Sequence, residues 1–430
     1  MRDINSVLKE ALRMYKPSGQ EIKEIEKPLR IFMKGLDEAF KKKKTKVQIF
    51  IGGSFAKKTL VKGGKYDIDI FLRFDGKYKN SDISEMACNA LNSLKNISAE
   101  RIHGSRDYFR IDLGENFYFE IIPVISVSRP KDTENITDLS YYHVKYTDKK
   151  LKNTRIIDEI ILAKAFCRAN RVYGAESHIK GFSGYSLELL LCNYKTFLRF
   201  IKEISKSKKG EKIIIDIEKH YKNKNQIMMD MNSSKTESPI ILVDPTYKQR
   251  NALATLSDET LDRFRAACKK FLKSPDIKFF IRQKADFDKP KAKSESRGEE
   301  FAIVEISTDV QEGAIAGSKL LKFYRLLFSR AKRFFEVKDS DFYYEDGKTA
   351  KFFISAKKRE KEIIPGPPLE NRAAVESFRK AHKKTVSKDG RIYAEEKIAF
   401  SLKEFIESWP EKNRKTMKDM YLTEIKVLQA

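Results

Sequence analysis

Residues 50–74, FIGGSFAKKTLVKGGKYDIDIFLRF, constrain this chain more than any other stretch. An apolar strand runs into Gly52, Gly53 and Ser54, a lysine-containing turn follows, and a second apolar run carries Asp67 and Asp69. Residues i and i+2 of a strand project from one face. The two carboxylates therefore stand side by side with no cation between them in the strand. Such a pair repels itself unless a divalent ion sits against it, and for oxygen ligands Mg²⁺ is the usual ion. The glycines let backbone N–H groups approach an anion closely, and Ser54 adds a hydroxyl. That combination suits a triphosphate whose metal ions the carboxylates position, the geometry of nucleotidyl transfer. It is not a P-loop, because GxxxxGK[ST] is missing and Lys57 and Lys58 do not open a helix after that motif.

A second metal calls for a third carboxylate. FYFEIIP offers Glu120, on the strand face of Tyr118 and Ile122 and flanked by apolar neighbours. An acid inside such a strand needs a reason, because burying an unpaired charge is costly. Asp112, on the preceding strand of a hairpin, is the competing third acid. Glu120 is preferred because its strand is the more continuously apolar, hence the more buried. A DxD pair alone is often a solvated strand face; the upstream Gly-Gly-Ser and the later Glu120 are what favour a metal site.

Around this block the apolar spacing changes period. Residues 4–15 and 19–43 read as helices, and 46–53, 67–74, 107–113 and 117–125 as strands of one mixed sheet, with 82–97 a helix packed on it. Gly114 to Asn116 predict a short hairpin loop between the last two strands. From 155 to 205 the spacing is helical, and 256–273 gives a further helix with Ser257 as N-cap. The lysine-rich 283–300 has the composition of a linker or mobile loop. Beyond it, 301–307, 315–336 and 341–356 predict strand, helix and strand–turn–strand, a small α+β unit. The expected division is a catalytic domain over 1–150 with N-terminal helices, a central helical domain over 151–282, and a C-terminal α+β and tail region over 283–430.

Charge narrows the partner. Lys plus Arg number 87 against 61 Asp plus Glu, a formal net charge of +26, which attracts polyanions and makes nucleic acid the first partner to consider. Segment 202–224 is strongly basic, with His220 and Tyr221 among its lysines, and reads equally as an RNA-phosphate contact or a solvated face. Cys88, Cys167, Cys192 and Cys268 lie far apart with no CxxC pair, so neither a disulfide framework nor a zinc knuckle is expected, and a reducing cytoplasm fits best. No apolar run approaches the ~18 residues of a membrane span. GFSG at 181–184 does not complete GxSxG and reads as close helix packing rather than a nucleophile elbow.

GGSFAKKT, DIDIFLRF, FEIIP, KAFCRANRVYGAESHIKGFSGYSLELL and ILVDPTYKQRNALATLS occur in this order, and the chain resembles the archaeal, class I CCA-adding enzymes. These are tRNA nucleotidyltransferases of the polymerase-β superfamily. The match is close from about 45 to 270, and looser through GPPLENRAAVESFRKAH and VSKDGRIYAEEK. The resemblance implies a polymerase-β-like catalytic domain, a central helical domain and a ferredoxin-like C-terminal α+β region. It implies Asp67, Asp69 and Glu120 as catalytic ligands of two Mg²⁺ ions, with Glu120 standing where the family more often has Asp. It implies Gly53, Ser54, His143, Lys164 and Tyr173 as contacts to the triphosphate of CTP or ATP, and Arg250 as the reader of the incoming base. tRNA is the implied partner, and a homodimer one possible assembly. A poly(A) polymerase shares the Gly-Ser turn and three acids, but the C-terminal match argues against it. A silent RNA-binding protein would have lost the acids or the turn, and a small-molecule nucleotidyltransferase would not need the charge.

Overall fold

A computed structural model describes residues 3–79, 81–104, 106–151 and 154–429. The chain forms two compact units, one of Met1–Ala175 with Ile179–Arg282, the other of Gln283–Ala430 with Glu176–His178.

The first unit opens with helices α1 (Ile4–Tyr15) and α2 (Gly19–Lys42). Ser18 starts α2 with a reciprocal capping box to Glu21, which satisfies orphan N–H groups at that end. Strand β1 (Val47–Ile51), the single turn α3 (Gly53–Ala56) and strand β2 (Tyr66–Phe74) follow. Helix α4 (Ile83–Leu91), β3 (Glu100–Ile102), β4 (Tyr108–Asp112) and β5 (Phe117–Ile125) complete the sheet, in the order β1-β2-β5-β4-β3. Only β2 and β5 pair in parallel. Strict alternation along β2 sends Ile68, Ile70, Leu72 and Phe74 to a core shared with Ile25, Leu29, Phe32 and Leu36 of α2 and Ala87 and Leu91 of α4. Asp67 and Asp69 consequently take the opposite face, and a one-residue slip of register would bury them in that core.

Helices α5 (Ser140–Lys150), α6 (Thr154–Ala169), α7 (Gly184–Tyr194) and α8 (Phe197–Lys206) build the second half of this unit with α11 (Asp258–Lys273), whose N-cap is Ser257 as expected. Phe166, Phe197, Phe200, Phe264 and Phe271 fill its core with edge-on and tilted ring contacts. Between α8 and α11 lie elements the sequence reading missed. These are strand β6 (Ile213–Ile215), helices α9 (Lys224–Asp230) and α10 (Ser233–Thr236), and strands β7 (Ile240–Asp244) and β8 (Tyr247–Asn251), with a sheet order β6-β7-β8. β7 is buried at every position, so its apolar run carries no alternation to mark it as a strand.

In the second unit the lysine-rich segment expected to be a linker contains helix α12 (Asp288–Glu295). Phe287 packs edge-on against Tyr343 and Phe353, and Ser294 is buried against Ser355, so two anchors suffice to seat an otherwise polar helix. Strand β9 (Glu300–Thr308), helix α13 (Ala314–Phe334) and strands β10 (Phe335–Tyr344) and β11 (Thr349–Lys358) come next. A small sheet follows, made of β12 (Lys361–Pro368), β13 (Thr385–Lys388) and β14 (Arg391–Lys397), with α14 (Arg372–Ala381) between β12 and β13. Short helices α15 (Leu402–Glu407), α16 (Trp409–Lys412) and α17 (Arg414–Asp419) lead to β15 (Leu422–Gln429), which returns to pair with β9. The main sheet is antiparallel throughout, in the order β10-β11-β9-β15, and Trp409 packs against Phe323 of α13. No helix among the described residues is long and apolar enough to cross a membrane.

Candidate active site

On the face of the first sheet opposite its core, parallel pairing sets Asp69 in register with Glu120, and Asp67 with Tyr118. The three acids thus meet through strand geometry alone. Burial, then the charges of Asp67 and Glu120, push the Asp69 carboxyl well above the usual range. Burial raises Asp67 as well, and burial followed by Asp67 raises Glu120. Cations are present, since Arg110, Lys164 and Arg168 favour charged Asp67, but they do not cancel the repulsion. Asp112, the competing third acid, is exposed and accepts from Lys65 at 2.9 and 2.8 Å and from Gly114 N at 3.2 Å.

The Gly-Gly-Ser turn is fitted to these acids. Gly52 N–H donates to the Asp69 carbonyl at 2.9 Å, which ties the turn to the strand of the aspartates. Gly53 has φ +57°, and a Cβ there would fall 1.6 Å from Asp69 Oδ2. Only glycine meets both conditions without moving the carboxylate. Ser54 follows, half-buried, in the turn.

Glu120 has a partner of its own. Arg110 of β4 stands opposite it in register and donates NH2 to Oε1 at 3.2 Å, while the guanidinium lies over the Tyr118 ring. Among the described residues no group of three or more His, Cys, Asp or Glu side chains is placed to hold a metal ion by itself. Mg²⁺ does not require one, since it is commonly held by one or two carboxylates together with substrate phosphates and water. An all-oxygen donor set of mutually repelling carboxylates, with backbone packed against one of them, fits that ion.

The other expected site residues separate into two groups. Lys164 is buried at 2% exposure, with Nζ donating to Thr59 O, Thr59 Oγ1 and Glu188 Oε1 at 3.2, 2.8 and 3.1 Å. Lys164, the expected charge partner of a triphosphate, thus makes three bonds in this structure and braces the turn after Ser54 against α7. Lys57 donates to the other oxygen of the same Glu188 at 2.6 Å. Tyr173 is half-buried beneath the Arg168 guanidinium, which lies 4.7 Å from its ring centroid, and is close enough to Asp67 to feel its charge.

His143 and Arg250 form the second group, and both bond Asp244. His143 Nε2 lies 3.1 Å, and Arg250 NH1 2.5 Å, from Asp244 Oδ2. A charged carboxylate only accepts, so Nε2 of His143 carries the proton. Tyr185 stacks on His143 with centroids 4.0 Å apart and donates its hydroxyl to Oδ1. The sequence reading missed Asp244, Glu188, Tyr185, Lys57 and Arg110. The signal that found Glu120, a lone acid in an apolar run, is also present at Asp244 in IILVD and at Glu188 in YSLELLL.

A mixed sheet with paired aspartates on one strand, a third acid in register beside them and a glycine turn against them is the frame of a polymerase-β-like nucleotidyltransferase. The solved Cid1 RNA terminal uridylyl transferase shares this fold at TM-score 0.51 and 13% identity, over 65% of this chain and 98% of that one; a second Cid1 structure gives TM-score 0.50 at 14% identity. Residues 158–281 match the family described as tRNA nucleotidyltransferase, second domain. The CCA-adding enzyme of Nanoarchaeum equitans is 32% identical over 367 residues, covering 84% of this chain and 87% of the relative. That of Methanocaldococcus jannaschii is 31% identical over 290 residues, covering 64% and 61%. The chain belongs to the CCA-adding enzyme family, and is a nucleotidyltransferase.

Proposed function

We propose that this chain builds and repairs the 3′-terminal CCA of tRNA from CTP and ATP without a nucleic-acid template, and that Asp67, Asp69 and Glu120 hold two Mg²⁺ ions for that reaction. The observation that carries the assignment is the register of Asp69 with Glu120 beside Asp67, an acidic face whose repulsion the protein leaves largely uncancelled. Bound there, the ions would supply charge stabilisation to the triphosphate and lower the pKa of the tRNA 3′-hydroxyl; in the reaction that hydroxyl attacks the nucleotide α-phosphate and pyrophosphate leaves. The chain's own residues do the positioning. Gly53 seats Asp69, Arg110 orients Glu120, and Ser54 lines the turn beside them. Arg250 reads the base through the guanidinium N–H donors that its bond to Asp244 leaves unused. The β-α-β-β-α-β order of the second unit, with β12–β14 inserted, supports the ferredoxin-like reading of that region, whose role is to grip tRNA by phosphate and shape.

The test is incorporation of labelled CTP, ATP, GTP and UTP, with Mg²⁺, on tRNA ending before, within or after CCA, resolved at single-nucleotide length. Addition of C, C and A followed by a stop is expected. An unlimited A tail would move the assignment to a poly(A) polymerase, and no addition would remove it. In the same assay Gly53→Ala should lose about 100-fold or more, because its Cβ displaces Asp69 from the working geometry. Activity within a few-fold of the parent would show that the turn does not seat the aspartate.

A further inference from the structure

Asp244 has no solvent exposure and is none of the three acids assigned to Mg²⁺, yet its carboxylate accepts from four side chains and a backbone N–H. Its two oxygens divide the work. Oδ1 accepts from Tyr185 OH at 3.1 Å, and from Thr246 N and Oγ1 at 2.8 Å each. These bonds fix the carboxylate at the end of β7 from two sides. Oδ2 is left to His143 Nε2 and Arg250 NH1 alone. The two side chains come from α5 and β8, which the shared oxygen ties together.

The chemistry of that shared oxygen has two consequences. It uses one of the five N–H donors of Arg250 and fixes the plane of the guanidinium, which directs the remaining four. It also sets the proton of His143 on Nε2, leaving Nδ1 of the neutral ring as an acceptor. Tyr185 completes the arrangement, stacked on His143 and 5.8 Å from both the Arg250 and Lys57 cations. Burial alone would favour a neutral Asp244, but His143 and Arg250 outweigh it and hold the carboxyl far below its ordinary range.

We infer that Asp244 is the positioning residue for nucleotide selection, holding Arg250 and His143 against one carboxylate oxygen so that they act as a single unit. This rests on the reading of Arg250 as the base-contacting residue. The alternative is that Asp244 merely neutralises a buried arginine, in which case its loss would lower stability without changing which nucleotide is chosen.

Two measurements separate these. The first is kcat and KM for CTP and UTP in the parent, Asp244→Asn, Arg250→Ala and the double variant, with melting temperature confirming the fold. Asp244→Asn should lower CTP-over-UTP discrimination by about tenfold or more, with the double variant no worse than Arg250→Ala, because members of one unit are not additive. Parental discrimination in Asp244→Asn beside lost discrimination in Arg250→Ala would overturn the inference. If Arg250→Ala itself discriminates normally, the base-reading assignment falls, and selection through Asp244 falls with it. The second is long-range ¹H–¹⁵N NMR of the histidines in the full-length parent, with His143 assigned by its loss in His143→Gln. A fixed Nε2–H tautomer is expected, and an Nδ1–H tautomer would remove the anchor irrespective of any variant's folding.

Discussion

Asp69→Asn should abolish nucleotide incorporation, a loss on the order of 10³-fold or more, while tRNA binding stays near the parental level and the metal-free protein becomes more stable. The loss of activity follows from position. Asp69 stands between Asp67 on its own strand and Glu120 on the neighbouring one, with its carboxylate seated against the Gly53 backbone. The gain in stability follows from the same crowding. Burial and two neighbouring acids raise the Asp69 carboxyl, so in the metal-free protein the folded state binds this proton more tightly than the unfolded chain does. Through the interval above the unfolded carboxyl value, stability from this group then falls as pH rises. The melting temperature of Asp69→Asn should therefore exceed the parent's at pH 7, by about 2 °C or more, and the gap should close toward pH 4. Mg²⁺ with nucleotide should raise the parent more than the variant. Turnover retained in Asp69→Asn, or a variant less stable than the metal-free parent at pH 7, would show that the three acids do not share one repulsive site.

The acidic trio was legible because strand alternation is a two-residue rule, and two strands of the first sheet carry acids at its inward-breaking positions. The hairpin joining β4 and β5 was legible for the same reason, its turn residues lying between apolar runs. What stayed hidden depends on long-range pairing. Nothing local to YFRID says that Arg110 falls opposite Glu120, since that requires the register of the hairpin. The surroundings of Lys164 were hidden too, because a lysine on a helix gives no sign that Thr59, more than a hundred residues earlier, accepts from it. Strand β6, with three residues, and the fully buried β7 lack the alternation that distinguishes strand from helix. Helix α12 was hidden by composition, its lysines outweighing the two contacts that seat it.

Glu188→Ala should be the most destabilising single change in the first unit, costing about 3–5 kcal/mol, the range for removing one member of a buried ion pair. Glu188 is unexposed and receives Lys57 on one oxygen and Lys164 with Thr59 Oγ1 on the other. Burial pushes its carboxyl up, but the charges and hydrogen bonds of Lys57 and Lys164 outweigh this and hold it below the ordinary value. Removing it leaves two ammonium groups, at 8% and 2% exposure, with no anion. Glu188→Gln keeps the shape and part of the hydrogen bonding, so it should cost less than alanine yet remain clearly below the parent, which separates lost charge from lost packing. Since the carboxyl is held low, its contribution is present at neutral pH and is lost as pH falls through the folded value, so parent and Glu188→Gln should converge in acid. Urea unfolding of all three proteins at pH 7 and pH 4 reads both effects. A cost below about 1 kcal/mol for Glu188→Ala would mean that water or a backbone carbonyl takes over the two lysines. In that case Lys57, freed from Glu188, would be available to the cleft, and the turn would stay tied to α6 through Thr59 and Lys164 while losing these bonds to α7.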